Sequence, residues 1–467
     1  MDYIKYYKWN KTESNIFLKT CKKYLSMNDP QIYFPIMSLY FHIHNTKNAT
    51  KFIDIERQFY LKEIKESYNI KYNNLNKILK GVIYDSYNDT LIDKEIFCKC
   101  IPILDPIHSI MKNYSASNKL LPSNYIHNTQ SKINNLNNSC YIDVFFSYIV
   151  SKLTTLNILP SFPIFYGLAN GISDEFLYDI SDEYNDFINE KWFHKNIGDL
   201  FSIDLYVSDT DDSTDDESLG NNDDIICRLF KFPVQYLFIE KLNGTLEDFL
   251  EYDINIDTLE SCLFQILYAL CYLQKHFNFT HNDLHINNVM YAKTDKLYLY
   301  YKYNNIYFKI PTHGYIFKII DFGRSIFTYK NRVFHNEVFS KYGEAEGQYD
   351  YPIPPVSCYK NNKYKIDINP NNSFDMCRLS MTILEELDNN ENFNKRDNLE
   401  LYNFLINIVI DKNGHNIYLE RTESFDLYIN IAKNACNGLP NNLIINDIFK
   451  KYRIKKKMFP NTGYRLN

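Results

Sequence analysis

Residues 281–288 read His-Asn-Asp-Leu-His-Ile-Asn-Asn, and Asp321-Phe322-Gly323 follows 33 positions after Asn288. These residue types can do one kind of chemistry together. Asp283 offers a carboxylate that can accept or orient a hydroxyl proton. Asn288, five positions later, lets one loop turn back and present a neutral oxygen to a metal. Asp321 adds a charged oxygen. Mg²⁺ suits such oxygen donors and keeps its remaining positions for water and phosphate. Phosphoryl transfer asks for this set: a positioned hydroxyl nucleophile, metal ions on the phosphates, and groups opposing the developing charge. Taken singly, His-x-Asp is most often a loop histidine with a capping aspartate, and Asp-Phe-Gly a strand end before a turn. Their order, and the apolar run ahead of each, favour the joint reading.

Several elements must position these residues. Residues 257–276 predict a helix whose buried stripe is Leu259, Cys262, Leu263, Ile266, Leu267, Leu270 and Leu273, with Asp257 as cap and Glu260 as its capping-box partner. It delivers the chain to His281. Residues 316–320 predict a strand ending at Asp321. Upstream, 76–85 and 94–101 read as strands around a turn at 86–89, 141–156 as an amphipathic helix, and 234–239 as a strand before the connector 240–244. Residues 1 to about 70 read as helical, on the spacing of Phe17, Leu18, Cys21, Tyr24 and Leu25. Residues 294–311 read as an inserted hairpin. From Ser373 onward the pattern is helical again, and the basic tail 450–457 reads as a solubilising terminus. The acidic run 208–224 lacks apolar residues and reads as a solvated loop, with docking or phosphorylation at Ser213 and Thr214 as the alternative.

The chain has 467 residues, 45% of them hydrophobic, enough for one two-lobed enzyme or two to three domains. A formal charge of -6 argues against a nucleic-acid binder with a wholly basic surface. Glycine is scarce (13) and tyrosine abundant (41). The ten cysteines follow no CxxC or CxxH pattern and read as buried free thiols of a reducing compartment, Cys98 and Cys100 on one strand face. Residues 1–10 lack the apolar core of a signal peptide, and no uninterrupted apolar run approaches about 18 residues, so no membrane partner is expected.

On these motifs the sequence resembles the eukaryotic-type protein kinase superfamily, in an atypical form. The resemblance runs from about residue 75 to the C-terminus, with its specific motifs in 234–380. It implies an α+β, two-lobed protein-kinase-like fold: a small antiparallel-sheet N-lobe and a mainly helical C-lobe, here with an N-terminal helical extension. The implied divisions are 1–72 for the extension, 73–241 for the N-lobe with the acidic insertion 208–224, and 242–467 for the C-lobe. The resemblance makes Asp283 the catalytic base, Asn288 and Asp321 the Mg²⁺ ligands, and Lys99 the phosphate anchor. Ile239 becomes the residue guarding the adenine pocket, and the backbone of Glu240 to Leu242 the hinge that binds adenine. Asp375 would accept hydrogen bonds from the loop backbone, with His281, Phe322 and Gly323 in support. The phrases THNDLHINNVMY, IIDFGRSI, FPVQYLFIE and FPNTGYR are similar to kinase-like proteins of giant double-stranded DNA viruses of the mimivirus type. That places the protein in the cytoplasm, a viral factory or the virion.

The sequence departs from the family pattern in the half that should hold the nucleotide. Residues 78–85, where the glycine-rich phosphate loop is expected, hold the single glycine Gly81. Asp143 is the only acid on 141–156 that could pair with Lys99. Asn282 stands where the family has an arginine that binds an activation-loop phosphate, so that switch is not expected. His285 stands for the catalytic-loop lysine, which would make its pull on the γ-phosphate depend on pH. No Ala-Pro-Glu closes the activation segment, and Tyr351 to Pro355 is the expected substitute. The leading expectation is an ATP- and Mg²⁺-dependent kinase acting on Ser or Thr of a protein substrate. The alternatives are a pseudokinase scaffold or virion protein, and a small-molecule phosphotransferase. Leu284, the Phe-Gly pair and the Asp375 helix favour the protein-kinase branch over the last.

Overall fold

A computed structural model gives a mixed α+β chain of two compact units, residues 1–141 with 165–241 and residues 142–164 with 242–467. It describes residues 4–41, 51–70, 73–114, 129–181, 183–206, 224–252, 255–339, 347–349, 351, 370–391, 393–420 and 424–466. The acidic run up to Asp223, and Pro352 to Pro355, lie outside them.

The first unit is built on a seven-stranded antiparallel sheet. Its order is Met27–Gln31, Phe165–Asp179, Asp224–Glu240, Thr90–Pro102, Asn73–Asp85, Phe59–Ile70, with Phe201–Tyr206 pairing the start of Asp224–Glu240. Asn73–Asp85 and Thr90–Pro102 close on the expected turn, Asp85 opposite Thr90. Among the described residues of 1–70, the helical reading holds for Lys11–Leu25, capped by Asn10 accepting from the Thr12 and Glu13 amides, and for the short 3-10 helix Pro35–Leu39. Met27–Gln31 and Phe59–Ile70 are instead the two edge strands of the sheet, so these residues form no separate extension. Met27–Gln31 finds its partner some 140 positions on, which helical spacing in a short window does not see, while Phe59–Ile70 pairs with the next strand, Ile70 opposite Asn73. Pro30 is tolerated because its strand is an edge, where a missing N–H breaks no ladder.

The expected phosphate loop does not form at residues 78–85. That stretch is strand interior, with Leu79, Gly81, Ile83 and Asp85 alternately buried. A Cβ on Gly81 would lie 2.7 Å from Leu61 Cδ1 and 2.8 Å from the Glu63 carbonyl oxygen. Glycine is there for the approach of the neighbouring strand.

A buried ion pair ties the sheet edge to the N-terminal segment. Arg57 meets Asp54 bidentately, Nη1 to Oδ1 at 2.8 Å and Nη2 to Oδ2 at 2.9 Å, and Trp9 Nε1 donates to the same carboxylate at 3.1 Å. The guanidinium also donates to the Tyr166 carbonyl and lies over the rings of Tyr60 and Phe165. Gly167 makes this possible: a Cβ there would sit 2.8 Å from Arg57 Nη2.

The second unit is mainly helical. Its central helix, Ile256–Phe277, is capped by Asn255 rather than Asp257: Asn255 Oδ1 accepts the Thr258 amide at 3.0 Å. Glu260 is buried and bonds the Tyr452 hydroxyl at 2.8 Å and Lys451 at 2.5 Å instead of completing a capping box. By length and composition this helix could cross a membrane, yet 83% of its apolar window is buried inside the protein, where it serves as a core helix. The inserted hairpin forms as Tyr298–Tyr303 against Ile306–Pro311. The chain's end completes that sheet, Arg453–Ile454 on one edge and Tyr464–Leu466 on the other. The tail is thus structural rather than a loose solubilising terminus. Ser139–Thr155 is buried all round at residues 140–151 rather than amphipathic. Of the nine described cysteines, all are free and only Cys436 is exposed.

Removing one partner of a buried ion pair strands the other charge. Asp54→Ala is expected to destabilise the protein by about 3–5 kcal/mol, read as a lower urea midpoint, whereas Lys65→Ala, at an exposed pair with Asp93, leaves the midpoint nearly unchanged.

Candidate active site

The loop 281–288 is set from below by the helix Phe374–Asn389. Asp375, in the first turn of that helix, is fully buried and accepts the His281 amide at 2.9 and 3.1 Å and the Asn282 amide at 3.0 Å. Burial raises the pKa of this carboxyl, while His281 and the two amides act in the opposite direction. The loop is entered from Asn278, whose left-handed backbone (φ 46°) ends the central helix, and through a Thr280–Ile326 bridge.

Asn288 joins the two motifs. Its Nδ2 donates to the Asp283 carbonyl at 2.8 Å, closing the loop on itself. Its own carbonyl accepts the Ile320 amide at 3.1 Å, beside Asp321. The strands behind them, Val289–Lys293 and Tyr315–Ile319, pair antiparallel with Val289 opposite Ile319. His281 reaches across as well, its Nε2 donating to the Ile320 carbonyl at 2.9 Å. Asp321 takes a left-handed backbone (φ 61°), and its Oδ1 accepts the Gly323 amide at 3.4 Å. Phe322 is buried, 5.1 Å from the Phe146 ring and 5.7 Å from His281, centroid to centroid. Its amide donates to Asp143 Oδ1 at 3.0 Å, and Asp143 also accepts the Ser147 hydroxyl at 3.4 Å. Asp143 therefore sits against the Asp-Phe-Gly turn.

His285 heads the short turn Ile286–Asn288. Its Nδ1 accepts the Asn287 amide at 3.3 Å, and its Nε2 faces Asn288 Nδ2 at 3.0 Å. Burial lowers its pKa, with Arg378 adding to the effect and Asp283 opposing it. The ring is a neutral acceptor here, a different role from the cation that the lysine comparison implies.

Asp283 opens on a cavity of 440 Å³ whose lining includes Glu247, His285, Arg324, Arg378 and Tyr428. The Tyr428 hydroxyl, from helix Ser424–Asn434, donates to Asp283 Oδ1 at 3.3 Å. Asn287 binds Glu247 at 2.9 Å. Glu386, on the cavity wall, has its pKa raised by burial and by the neighbouring Glu247, Glu385 and Glu251. As to metals, Asn288 spends its Nδ2 on the loop, which leaves its amide oxygen as a ligand atom, and Asp321, one residue after Ile320, offers a carboxylate. That oxygen set fits Mg²⁺. Among the described residues no group of three or more His, Cys, Asp or Glu forms a metal cluster.

The second unit thus brings together Asp283, His285, Asn288, His281, Asp321, Phe322, Gly323, Asp375 and Asp143. Lys99, Gly81, Ile239 and Glu240 belong to the first unit. There Lys99 is half-buried, opposite Leu237, and Ile239 is opposite Phe97. The chain passes between units at Lys241–Leu242. Sequence reasoning missed Tyr428, Tyr349 and Arg324, and took Tyr351 only as the start of the expected end of the activation segment. Arg324, next to Asp-Phe-Gly, carried a positional signal.

No protein-family model matches the chain. Over 117 residues it is 38% identical to a protein of Dictyostelium discoideum named as a probable serine/threonine-protein kinase, covering 22% of this chain and 10% of that one. Over 99 residues it is 35% identical to R301 of Acanthamoeba polyphaga mimivirus, whose name carries a provisional assignment to the serine/threonine-protein kinases, covering 18% and 25%. A 72-residue stretch is 43% identical to the uncharacterized protein 098R of Invertebrate iridescent virus 6, covering 14% and 12%. The matches span between a tenth and a quarter of those proteins' lengths. Two of these partial matches carry kinase names, which supports a kinase-like relationship over those stretches.

The hairpin after Asp-Phe-Gly carries a pH signature. His335 is buried, and burial lowers its pKa to about 4, with Arg332 adding to the effect. The folded state therefore binds fewer protons than the unfolded state between pH 4 and 6.5. Its contribution to stability is complete above pH 6.5 and is lost as pH falls towards 4. Between pH 6.5 and 5 the expected loss is about 2 kcal/mol. Urea titrations at the two pH values should show it, and His335→Gln should flatten the difference.

Proposed function

We propose that the protein is a phosphotransferase that moves the ATP γ-phosphate to a protein hydroxyl, of Ser or Thr, with Mg²⁺. The observation that carries this reading is the tie between Asn288, the Asp283 carbonyl and the Ile320 amide, which sets a candidate base and two candidate metal oxygens on one rigid loop-and-strand frame. The kinase names of the partial relatives support it. In this reading Asp283 accepts the proton of the acceptor hydroxyl from within the cavity. Asn288 and Asp321 hold Mg²⁺, which would neutralise phosphate charge. The first unit is the nucleotide-side lobe and the second the catalytic lobe. Lys99 anchors phosphates, Ile239 lines the adenine pocket, and the backbone from Glu240 to Leu242 binds adenine. A cytoplasmic, viral-factory or virion setting goes with it.

The strand interior at Gly81 favours a second reading, a pseudokinase scaffold, because no backbone cradle for phosphates forms at that place.

Two measurements separate them. Asp283→Asn is expected to lower transfer from labelled ATP to a mixed protein substrate by about 10²–10⁴-fold, without lowering the thermal midpoint. No transfer by the unmodified chain with Mg²⁺ or Mn²⁺ would remove the enzyme reading. ATP with Mg²⁺ binding only the native state must raise the thermal midpoint, by about 2.7 kcal/mol of stabilisation at a hundredfold excess over Kd. A midpoint unmoved at millimolar ATP would favour the scaffold.

A further inference from the structure

We propose that Tyr349 and Tyr351 are positioning residues for the loop that carries Asp283, and that they set it through neutral hydrogen bonds, without a phosphorylated group. The inference rests on the reading of Asp283 as the base and adds how the loop is held and regulated. Asn282 directly precedes Asp283, is fully buried and has a left-handed backbone (φ 64°). Asparagine tolerates that conformation better than most residues, but something must still select it. Here every polar group of Asn282 has a partner. Its amide donates to Asp375 at 3.0 Å and its Nδ2 to the Arg324 carbonyl at 3.0 Å. Its carbonyl accepts the Tyr349 hydroxyl at 2.7 Å, and its Oδ1 accepts the Tyr351 hydroxyl at 2.8 Å.

The two phenols are themselves fixed. Their rings stack, with centroids 5.4 Å apart at 23°. Tyr349 packs on Phe339 at 4.9 Å and on Phe374 at 5.5 Å, next to Asp375. Arg324 Nη1 donates to the Tyr349 hydroxyl at 3.3 Å. Burial raises the pKa of both phenols, which keeps them protonated and able to donate. The segment after Asp-Phe-Gly is thereby tied to the candidate catalytic loop at two points, both by uncharged donors. Such bonds need no kinase upstream to create them.

Hydrogen exchange tests this whether or not a substrate has been found. In protein stripped of phosphate by a phosphatase and verified by intact mass, the amides of residues 281–288 should remain protected. Tyr351→Phe keeps the ring and deletes the hydroxyl. It should speed exchange of that loop by about tenfold and leave the sheet of the first unit unchanged. In activity assays kcat should fall by a similar factor with the KM for ATP unmoved. Asn282→Ala should cost more, because it also removes the Nδ2 bond to the Arg324 carbonyl and puts alanine at a left-handed backbone, and adding Tyr351→Phe to it should cost little further, because that bond is already gone. The proposal is overturned if the stripped protein exchanges fast and gains protection on phosphorylation. It is equally overturned if Tyr351→Phe leaves exchange unchanged, or if the two losses add. Retained activity in Asp283→Asn would instead sink the base reading, whatever the tyrosines do.

Discussion

Asp375 is buried from solvent, and its carboxylate takes the backbone N–H groups of His281 and Asn282. The rest of the second unit's site hangs on that contact. Charge-assisted bonds from backbone amides fix direction as well as distance. Without the carboxylate, two buried amides would be left unsatisfied, each at a cost of about 1–3 kcal/mol. The carboxylate is costly to bury, as the upward push on its pKa shows. It is retained because it selects one conformation for a loop that has no regular ladder of its own.

From that anchor the order spreads by neutral bonds. Asn288 closes the loop onto the Asp283 carbonyl, and the backbone of Ile320 is held from both sides, by Asn288 at its amide and His281 at its carbonyl. Asp143 then fixes the amide of Phe322. Asp321, between Ile320 and Phe322, inherits its left-handed backbone from neighbours that cannot move independently. Aromatic packing does the remaining work: Phe146 lies against Phe279 at 4.7 Å and against Phe322 at 5.1 Å, so both approaches to the site rest on one side chain.

Much of this was legible in the sequence where the residues are close together. The His-Asn-Asp-Leu loop, the Asp-Phe-Gly turn and the strand into Asp321 are contiguous, and Asp375 opens an apolar helix. The residues that were not legible act over distance. Tyr349 and Tyr351 reach Asn282 from 67 and 69 positions away, and Tyr428 reaches Asp283 from 145. In a chain with 41 tyrosines, no single one stands out by type. One edge strand of the first sheet was hidden for the same reason: Met27–Gln31 becomes a strand through pairing with Phe165–Asp179, some 140 positions on. The other, Phe59–Ile70, pairs locally with Asn73–Asp85, so distance does not account for it. The misplaced phosphate loop has a different cause. A glycine in a strand and a glycine in a turn look alike in sequence, and only the Leu61 and Glu63 atoms that Gly81 faces decide between them.

His285 sharpens the division of labour. With Nδ1 accepting the Asn287 amide, the ring is neutral and contributes geometry to the loop and no positive charge. Positive charge at the cavity comes from Arg324 and Arg378, on elements outside the loop. Arg378 lies over the Tyr428 ring, and its Nε is buried without a hydrogen-bond partner. The shape of the loop and the field its ligand meets are therefore set by different residues. A change at Asn282 or its tyrosine partners alters where Asp283 points and leaves the cavity's charge intact. A change at Arg378 alters the charge and leaves the loop's hydrogen bonds in place. In a site where the loop itself carried the cation, those two properties could not be separated.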